Sequence, residues 1–462
     1  MIPVETSALE IARQVRAGTV SAVAIVEAHL ARVAAHNPTL NAFTDVTAAR
    51  ALAKARDIDA RRARGDSLGV LAGVPFAAKN LFDIAGLPTR AGSKINRDRA
   101  AADADAVLVA RLDAADAVLL GGLNMGEYAY DFTGENVHDG ASRNPHDKSR
   151  MTGGSSGGSG AAVAGGMVPL ALGSDTNGSI RVPSSFCGLF GLKPTYGRLT
   201  RRGSFPFVGS FDHLGPLARS AGDLSLCYDA MQGPDPLDPA CAGREVAPTL
   251  GEIDKGIAGL RIATLGGYFA GGGEDIVYQA VARCAQALRA TQTRELPEVH
   301  RARAAAFVIT NVEGGQLHLD RLRTRAADFD PATRDRLIAG NFVPASWYVQ
   351  AQRLRSWFQN EVNKLFETTD ILLAPATPCA APSIGQQTFM LNGQETVLRP
   401  NIGVYTQPIS FVGLPVVAVP LHGLGPLPVA VQVIAAPWRE DLALRVARHL
   451  EQAGIVQAPI AA

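Results

Sequence analysis

The chain has 462 residues, of which 47% are hydrophobic and 19% charged, with a formal net charge of +1. That much apolar material excludes wholesale disorder and can fill one large domain or two to three ordinary ones. The near-neutral balance removes the electrostatic case for a nucleic acid or an anionic membrane as partner.

From the N-terminus, Leu9, Ile11, Ala12, Val15, Val23, Ile25, Val26 and Leu30 recur at largely helical intervals, broken near Gly18, and predict two amphipathic helices over 7–35. Met1–Thr6 carries no basic region ahead of an apolar run, and no stretch of about 18 uninterrupted apolar residues occurs, so the expectation is a cytoplasmic protein without a membrane span. Alanine-rich residues 47–64 continue the helical character. Gly69–Pro75 then turns toward a loop carrying Lys79, residues 103–115 predict a helix, and Ala117–Gly121 has the size of a buried strand. Residues 144–150 are polar and turn-like. Ser159–Gly166 predicts a small-residue helix, Val168–Leu172 a short strand, and Ser179–Phe186 a helix beginning at or just after the serine. The Pro- and Asp-rich run Gly233–Pro239 opens a linker over about 234–258. Beyond it, 259–265, 370–375, 415–420 and 428–434 read as strands, the last two pairing as a hairpin, and 275–292 and 441–453 read as helices. Strands alternating with helices indicate an α/β sheet.

The five cysteines (Cys187, Cys227, Cys241, Cys284, Cys379) are odd in number, scattered, and contain no C-x-x-C, which predicts reduced thiols rather than a disulfide framework or zinc site. No H-E-x-x-H or comparable spacing implies a metal, and no motif implies a cofactor. None of the nine histidines occupies a motif position, and Asp212-His213 reads as loop or core.

The densest glycine and serine block is 151–200, where Gly153-Gly154-Ser155-Ser156-Gly157-Gly158-Ser159 and Gly173-Ser174-Asp175-Thr176-Asn177-Gly178-Ser179-Ile180-Arg181 are separated by about one helix and one strand. Backbone that small can press against a reacting group. Gly153-x-Ser155-x-Gly157 also fits the nucleophile elbow of α/β-hydrolases, but the polar segment before Gly153 is not the strand that motif requires. Neither phosphate-binding glycine pattern occurs. Upstream, Gly73-Val74-Pro75-Phe76-Ala77-Ala78-Lys79 places a lysine after small and apolar residues, where it must snorkel out or lose its charge.

Together Lys79, Ser155 and Ser179, with the flanking Ser-Ile-Arg, Phe-Cys-Gly and Gly-Leu-Lys-Pro-Thr, resemble the amidase signature family over essentially the whole chain. The resemblance implies an α/β amidase signature fold, a mixed central β-sheet surrounded by helices in one domain over 1–462, with its signature core at about 65–232. It also implies a Ser-cisSer-Lys triad that hydrolyses linear amide C–N bonds. Ser179 is then the nucleophile that forms the acyl-enzyme, Ser155 relays its proton through a cis-peptide configuration, and Lys79 is the terminal base. An unperturbed lysine is neutral only about once in 2,500 molecules at pH 7, so the base role needs burial without a close carboxylate. The N–H groups of Thr176, Asn177, Gly178 and Ser179 are the oxyanion-hole candidates. Ser156, Asp175 and Arg181 match positions that support the loops by hydrogen bonding.

Asn177 stands where the commonest family pattern, Asp-Thr-Gly-Gly-Ser, has glycine. Asparagine tolerates positive φ better than most residues, and its amide changes which acyl groups fit. Val182 stands where the A subunits of amidotransferases usually carry glutamine, and the additional C-terminal domain common in allophanate hydrolases is missing. The stretches 79–84, 91–97, 173–183, 229–239, 305–310 and 434–438 are similar to family members that release ammonia from small ureido carboxylates. That likeness implies a small-molecule substrate and a short helical partner protein like the C subunit of the amidotransferases; a homo-oligomer is compatible with it. Met125 and Tyr128 fall in the pocket segment Asn124–Phe132, and Arg323, in the arginine-rich 318–325 helix, is the candidate for a substrate carboxylate. The alternatives are a general amidase, an allophanate hydrolase-like enzyme, the A component of an amidotransferase, and an inactive scaffold.

Overall fold

The helical spacing near the N-terminus is realised with caps at both helix starts in a computed structural model that describes residues 5–461. Ser7 accepts a hydrogen bond from the Glu10 N–H and opens Ala8–Ala17, which Gly18 ends in the left-handed region. Ser21 likewise accepts from Ala24 and opens Ala22–Leu40. Leucine, isoleucine and valine on the inward faces join these helices to the hydrophobic core.

In chain order the strands are β1 (Phe43–Val46), β2 (Pro75–Lys79), β3 (Val118–Leu123), β4 (Arg143–Asn144), β5 (Asp147–Met151), β6 (Leu170–Asp175), β7 (Phe190–Lys193), β8 (His213–Ala218), β9 (Ile262–Leu265), β10 (Gln292–Arg294), β11 (Ile371–Pro375), β12 (Thr388–Leu391), β13 (Gln394–Val397), β14 (Val416–Leu421) and β15 (Val429–Ala435). Eleven of them form one sheet in the order β1-β3-β2-β6-β8-β7-β14-β15-β11-β9-β10; β4–β5 and β12–β13 are separate hairpins. β2 runs parallel to both β3 and β6. Antiparallel pairing then continues from β6 to β11, and parallel pairing returns at β9 and β10. The central strands are buried along their whole length, as continuous apolar runs with helices on both faces require. The sheet is therefore mixed and flanked by helices, the α/β architecture expected.

The hairpin expected at the C-terminal end forms between β14 and β15, with Val416 opposite Ile434 and Leu421 opposite Val429. Other boundaries shift. The strand expected to stop at Leu172 runs on to Asp175, because β8 pairs with it as far as Asp175 opposite His213. Residues 144–150 are not merely turn-like: they close the β4–β5 hairpin. The 232–261 connection contains no helix or strand, yet it is tied down. Asp229 accepts from the N–H groups of Thr249 and Leu250, and Asp235 accepts from Thr200 and Arg202.

Candidate active site

β2 and β6 are parallel neighbours, so Lys79, the last residue of β2, and Ser174 and Asp175, the last of β6, arrive at the same carboxyl edge of the sheet. Lys79 is therefore on a strand end rather than in a loop, held there by pairing with Leu123 of β3. It is fully buried. Its Nζ donates to three hydroxyls: Ser155 Oγ at 2.7 Å, Ser174 Oγ at 2.8 Å and Ser156 Oγ at 3.1 Å. Burial pushes the ammonium down to about 7, against the opposing pull of Asp175, Asp212 and Asp131. Carboxylates are thus closer than expected, but desolvation outweighs them, and among the described residues none forms an ion pair with Lys79.

The loop bringing Ser155 to Lys79 is built from close approaches. The Gly154–Ser155 peptide bond is cis. A Cβ on Gly154 would lie 2.5 Å from Asp131 Oδ2, and one on Gly158 would lie 2.5 Å from Ala42 O, so neither position accommodates a side chain. Ser156 precedes the helix Gly157–Ala164 and fastens the loop to β6, accepting from Ser174 N–H at 3.3 Å and donating to Ser174 O at 3.2 Å.

The second loop leaves β6 and enters a helix that begins at Arg181, two residues after Ser179. Asp175 and Arg181 have fully buried side chains and form a two-pronged pair, with Nε and Nη2 each 2.9 Å from a carboxylate oxygen. Asp175 also accepts from the Ile180 N–H at 3.2 Å. Burial pushes its carboxyl up, but Arg181, Lys193 and His213 outweigh that and hold it well below the usual range. Arg181 continues to Gln432 Oε1 on β15 at 2.7 Å, Ser410 Oγ at 2.5 Å and Thr406 O at 3.1 Å. These contacts fix the turn 176–180 from both sides.

Within that turn the N–H groups of Asn177, Gly178 and Ser179 have no acceptor among the described residues. The Thr176 hydroxyl donates to Asp212 at 2.6 Å, and Thr406 Oγ1 donates to Asn177 O at 2.7 Å. Asn177 does not use its tolerance of positive φ; in this turn Gly178 takes it, at 143°. A Cβ there would lie 2.2 Å from Thr406 Oγ1. Unpaired N–H groups on a braced turn beside a serine can hold an oxyanion.

Ser179 opens onto a narrow cleft whose walls include Tyr130, Phe132, Asn177, Phe207, Phe307, Thr310, Arg336 and Gln407. Met125 and Tyr128 are buried but lie outside that lining. Tyr128 donates to Asn96 Oδ1 at 3.2 Å and packs its ring on His318. Arg323 does not reach the cleft: its side chain is 67% exposed and faces Asp320 on its own helix. The guanidinium on the wall is Arg336, from the helix Pro331–Gly340. It donates to Tyr130 O at 2.6 Å and Ala332 O at 2.7 Å and lies 3.7 Å from the centre of the Tyr130 ring. No carboxylate pairs with it among the described residues, because Arg399 engages nearby Asp131 at 2.7 Å. Nothing in the sequence around Arg334-Asp335-Arg336 separates it from a solvated arginine, since its placement depends on how the helices of 299–366 pack over the sheet.

The amidase family model matches residues 24–444. The chain is 55% identical to AtzE, a component of 1-carboxybiuret hydrolase in Pseudomonas sp. (strain ADP), over 97% of this chain and 99% of that protein. It is 38% identical to the A component of the glutamyl-tRNA(Gln) amidotransferase of Azotobacter vinelandii (strain DJ / ATCC BAA-1303), over 96% of each. A solved structure, described as a vestigial protein complex that reveals the evolutionary origins of an s-triazine catabolic enzyme, superposes with a TM-score of 0.97 at 54% identity, covering 98% of this chain and all of the other. With the sheet, the two serine loops and the buried lysine all in place, the chain belongs to the amidase signature family and is a hydrolase of amide C–N bonds.

Proposed function

We propose that this chain hydrolyses 1-carboxybiuret, a small ureido carboxylate, at its terminal carbamoyl group with release of ammonia. The observation that carries the reading is Arg336, a partly buried guanidinium on the wall of the Ser179 cleft that no carboxylate of the chain pairs with among the described residues. A guanidinium without a carboxylate partner in a narrow cleft suits a substrate carboxylate. The substrate of the 55% identical relative supports the same choice. In this mechanism Ser179 Oγ attacks the terminal carbonyl while its proton passes through Ser155 Oγ to neutral Lys79. The N–H groups from Thr176 to Ser179 hold the oxyanion. The proton then returns to the leaving nitrogen as ammonia departs, and water, deprotonated by the same relay, cleaves the acyl-enzyme.

The test compares ammonia release from 1-carboxybiuret and from biuret, which lacks the carboxylate. We expect kcat/KM to favour 1-carboxybiuret by at least about 100-fold, and Arg336→Gln to erase most of that preference through KM. Equal rates on the two substrates would overturn the reading. Two similar proteins are named as subunits of larger enzymes, which supports a short helical second component for this chain as well; co-purification of the two chains with a gain in ammonia release is the expected result. No helix among the described residues is long and apolar enough to cross a membrane, and a cytoplasmic location is part of the proposal.

A further inference from the structure

Next to the nucleophile lies an acceptor with nothing to accept from. Asn177 is 6% exposed. Its Nδ2 donates to Thr310 Oγ1 at 3.1 Å, and its Oδ1 is buried without a hydrogen-bond partner. Both Asn177 and Thr310 line the cleft that contains Ser179 and Arg336. A buried unpaired amide oxygen disfavours the folded state, so its presence calls for a reason. Backbone conformation does not supply one, since Gly178 and not Asn177 takes the positive φ. Packing does not either, because a hydrocarbon side chain of similar volume would fill the wall without an orphaned oxygen.

We propose that Asn177 Oδ1 accepts a hydrogen bond from an N–H on the acyl side of the scissile carbonyl, so that Asn177 selects ureides over carbon-chain amides. Thr310 orients the amide by holding its nitrogen, which turns the oxygen to the substrate. The inference rests on the ureido-carboxylate reading and adds the middle of the molecule to it: Arg336 engages one end, Ser179 attacks the other, and Asn177 reads the link between them. A site with a buried acceptor for an N–H rejects an analogue that carries a methylene there, because the acceptor stays unpaired.

N-carbamoylglycine and succinamate test this directly. Both end in a carboxylate and a primary amide, and they differ in having N–H or CH2 beside the amide carbon. Ammonia release gives the ratio of kcat/KM for the first over the second, which removes any common effect on the oxyanion loop. Asn177→Gly, which installs the glycine of the commonest family pattern, is expected to lower that ratio about tenfold. Thr310→Val, which frees the amide to rotate, is expected to lower it about threefold. Ratios within twofold of wild type in both variants would overturn the inference while leaving the ureido-carboxylate reading intact. A wild type that releases ammonia from succinamate as fast as from N-carbamoylglycine would likewise overturn the inference, whereas one that releases none from 1-carboxybiuret would overturn that reading itself.

Discussion

The protonation state of Lys79 follows from a competition in which burial disfavours the ammonium and three aspartates favour it, with burial ahead. With the group at about 7 instead of 10.5, about half of the molecules carry a neutral base at pH 7 and about one in ten at pH 6. The kcat/KM for ammonia release is therefore expected to fall about tenfold per unit once the pH drops below about 6.5. In Lys79→Ala that acid limb should vanish along with several orders of magnitude of activity; a wild-type pH profile in the variant would rule out the base role. The same shift acts on stability with a definite sign. Between about 7 and 10.5 the unfolded chain holds a lysine proton that the folded chain has released, so this residue's contribution to stability rises with pH across that window. Ser179→Ala should abolish covalent labelling by a fluorophosphonate and lower turnover by about 10⁴ or more while the circular dichroism spectrum stays unchanged. Labelling that persists on another serine would reassign the nucleophile.

The turn 176–180 is the element on which the proposed chemistry turns, and Gly178 is its least replaceable residue. Its φ of 143° and the 2.2 Å approach of an added Cβ to Thr406 Oγ1 leave no relaxed conformation for alanine. Gly178→Ala is expected to cost about 10² to 10³ in kcat by displacing oxyanion donors, with KM changed far less; burst and steady-state kinetics separate the two. Much of this element is legible in the sequence, because short loops dense in glycine and serine carry their constraints locally, and Lys79, Ser155, Ser156, Asp175 and Arg181 all converge as their motifs imply. The cleft wall is not legible in the same way. Thr310 and Arg336 reach it from the helices Val299–Leu317 and Pro331–Gly340. In the first of these the buried positions are mostly small residues such as Ala302, Ala305, Ala306, Gly314 and Gly315. Small residues give a weak amphipathic signal, so neither the helix nor its register stands out. Arg323 fits the chemistry of a carboxylate site but sits on the solvent side of its helix, a matter of rotation by a fraction of a turn that composition cannot supply.

Across the whole molecule, Arg181 joins parts of the chain that are far apart in sequence, reaching Asp175 on β6, Thr406 and Ser410 near the helix Gln407–Phe411, and Gln432 on β15. Replacing it with methionine would leave the fully buried Asp175 carboxylate unpaired, at a cost of about 3–5 kcal/mol, a large part of the about 5–15 kcal/mol that keeps a typical protein folded. Arg181→Met should lower the melting temperature by at least about 5 °C in calorimetry, and a change of under one degree would show that the pair contributes specificity rather than stability. The way the cleft is assembled has a consequence for descent and for engineering. Lys79, Ser155 and Ser179 come from the first two fifths of the chain, whereas Phe307, Thr310, Arg336 and Gln407 come from the remainder. The proposed bond-breaking residues are thus written in one stretch of the gene, whereas the cleft wall is shared between that stretch, through Tyr130, Phe132 and Asn177, and the later one. Recombination or mutagenesis confined to the later stretch can reshape part of that wall under an untouched triad, so lineages built on this scaffold should diversify in diet before they diversify in chemistry.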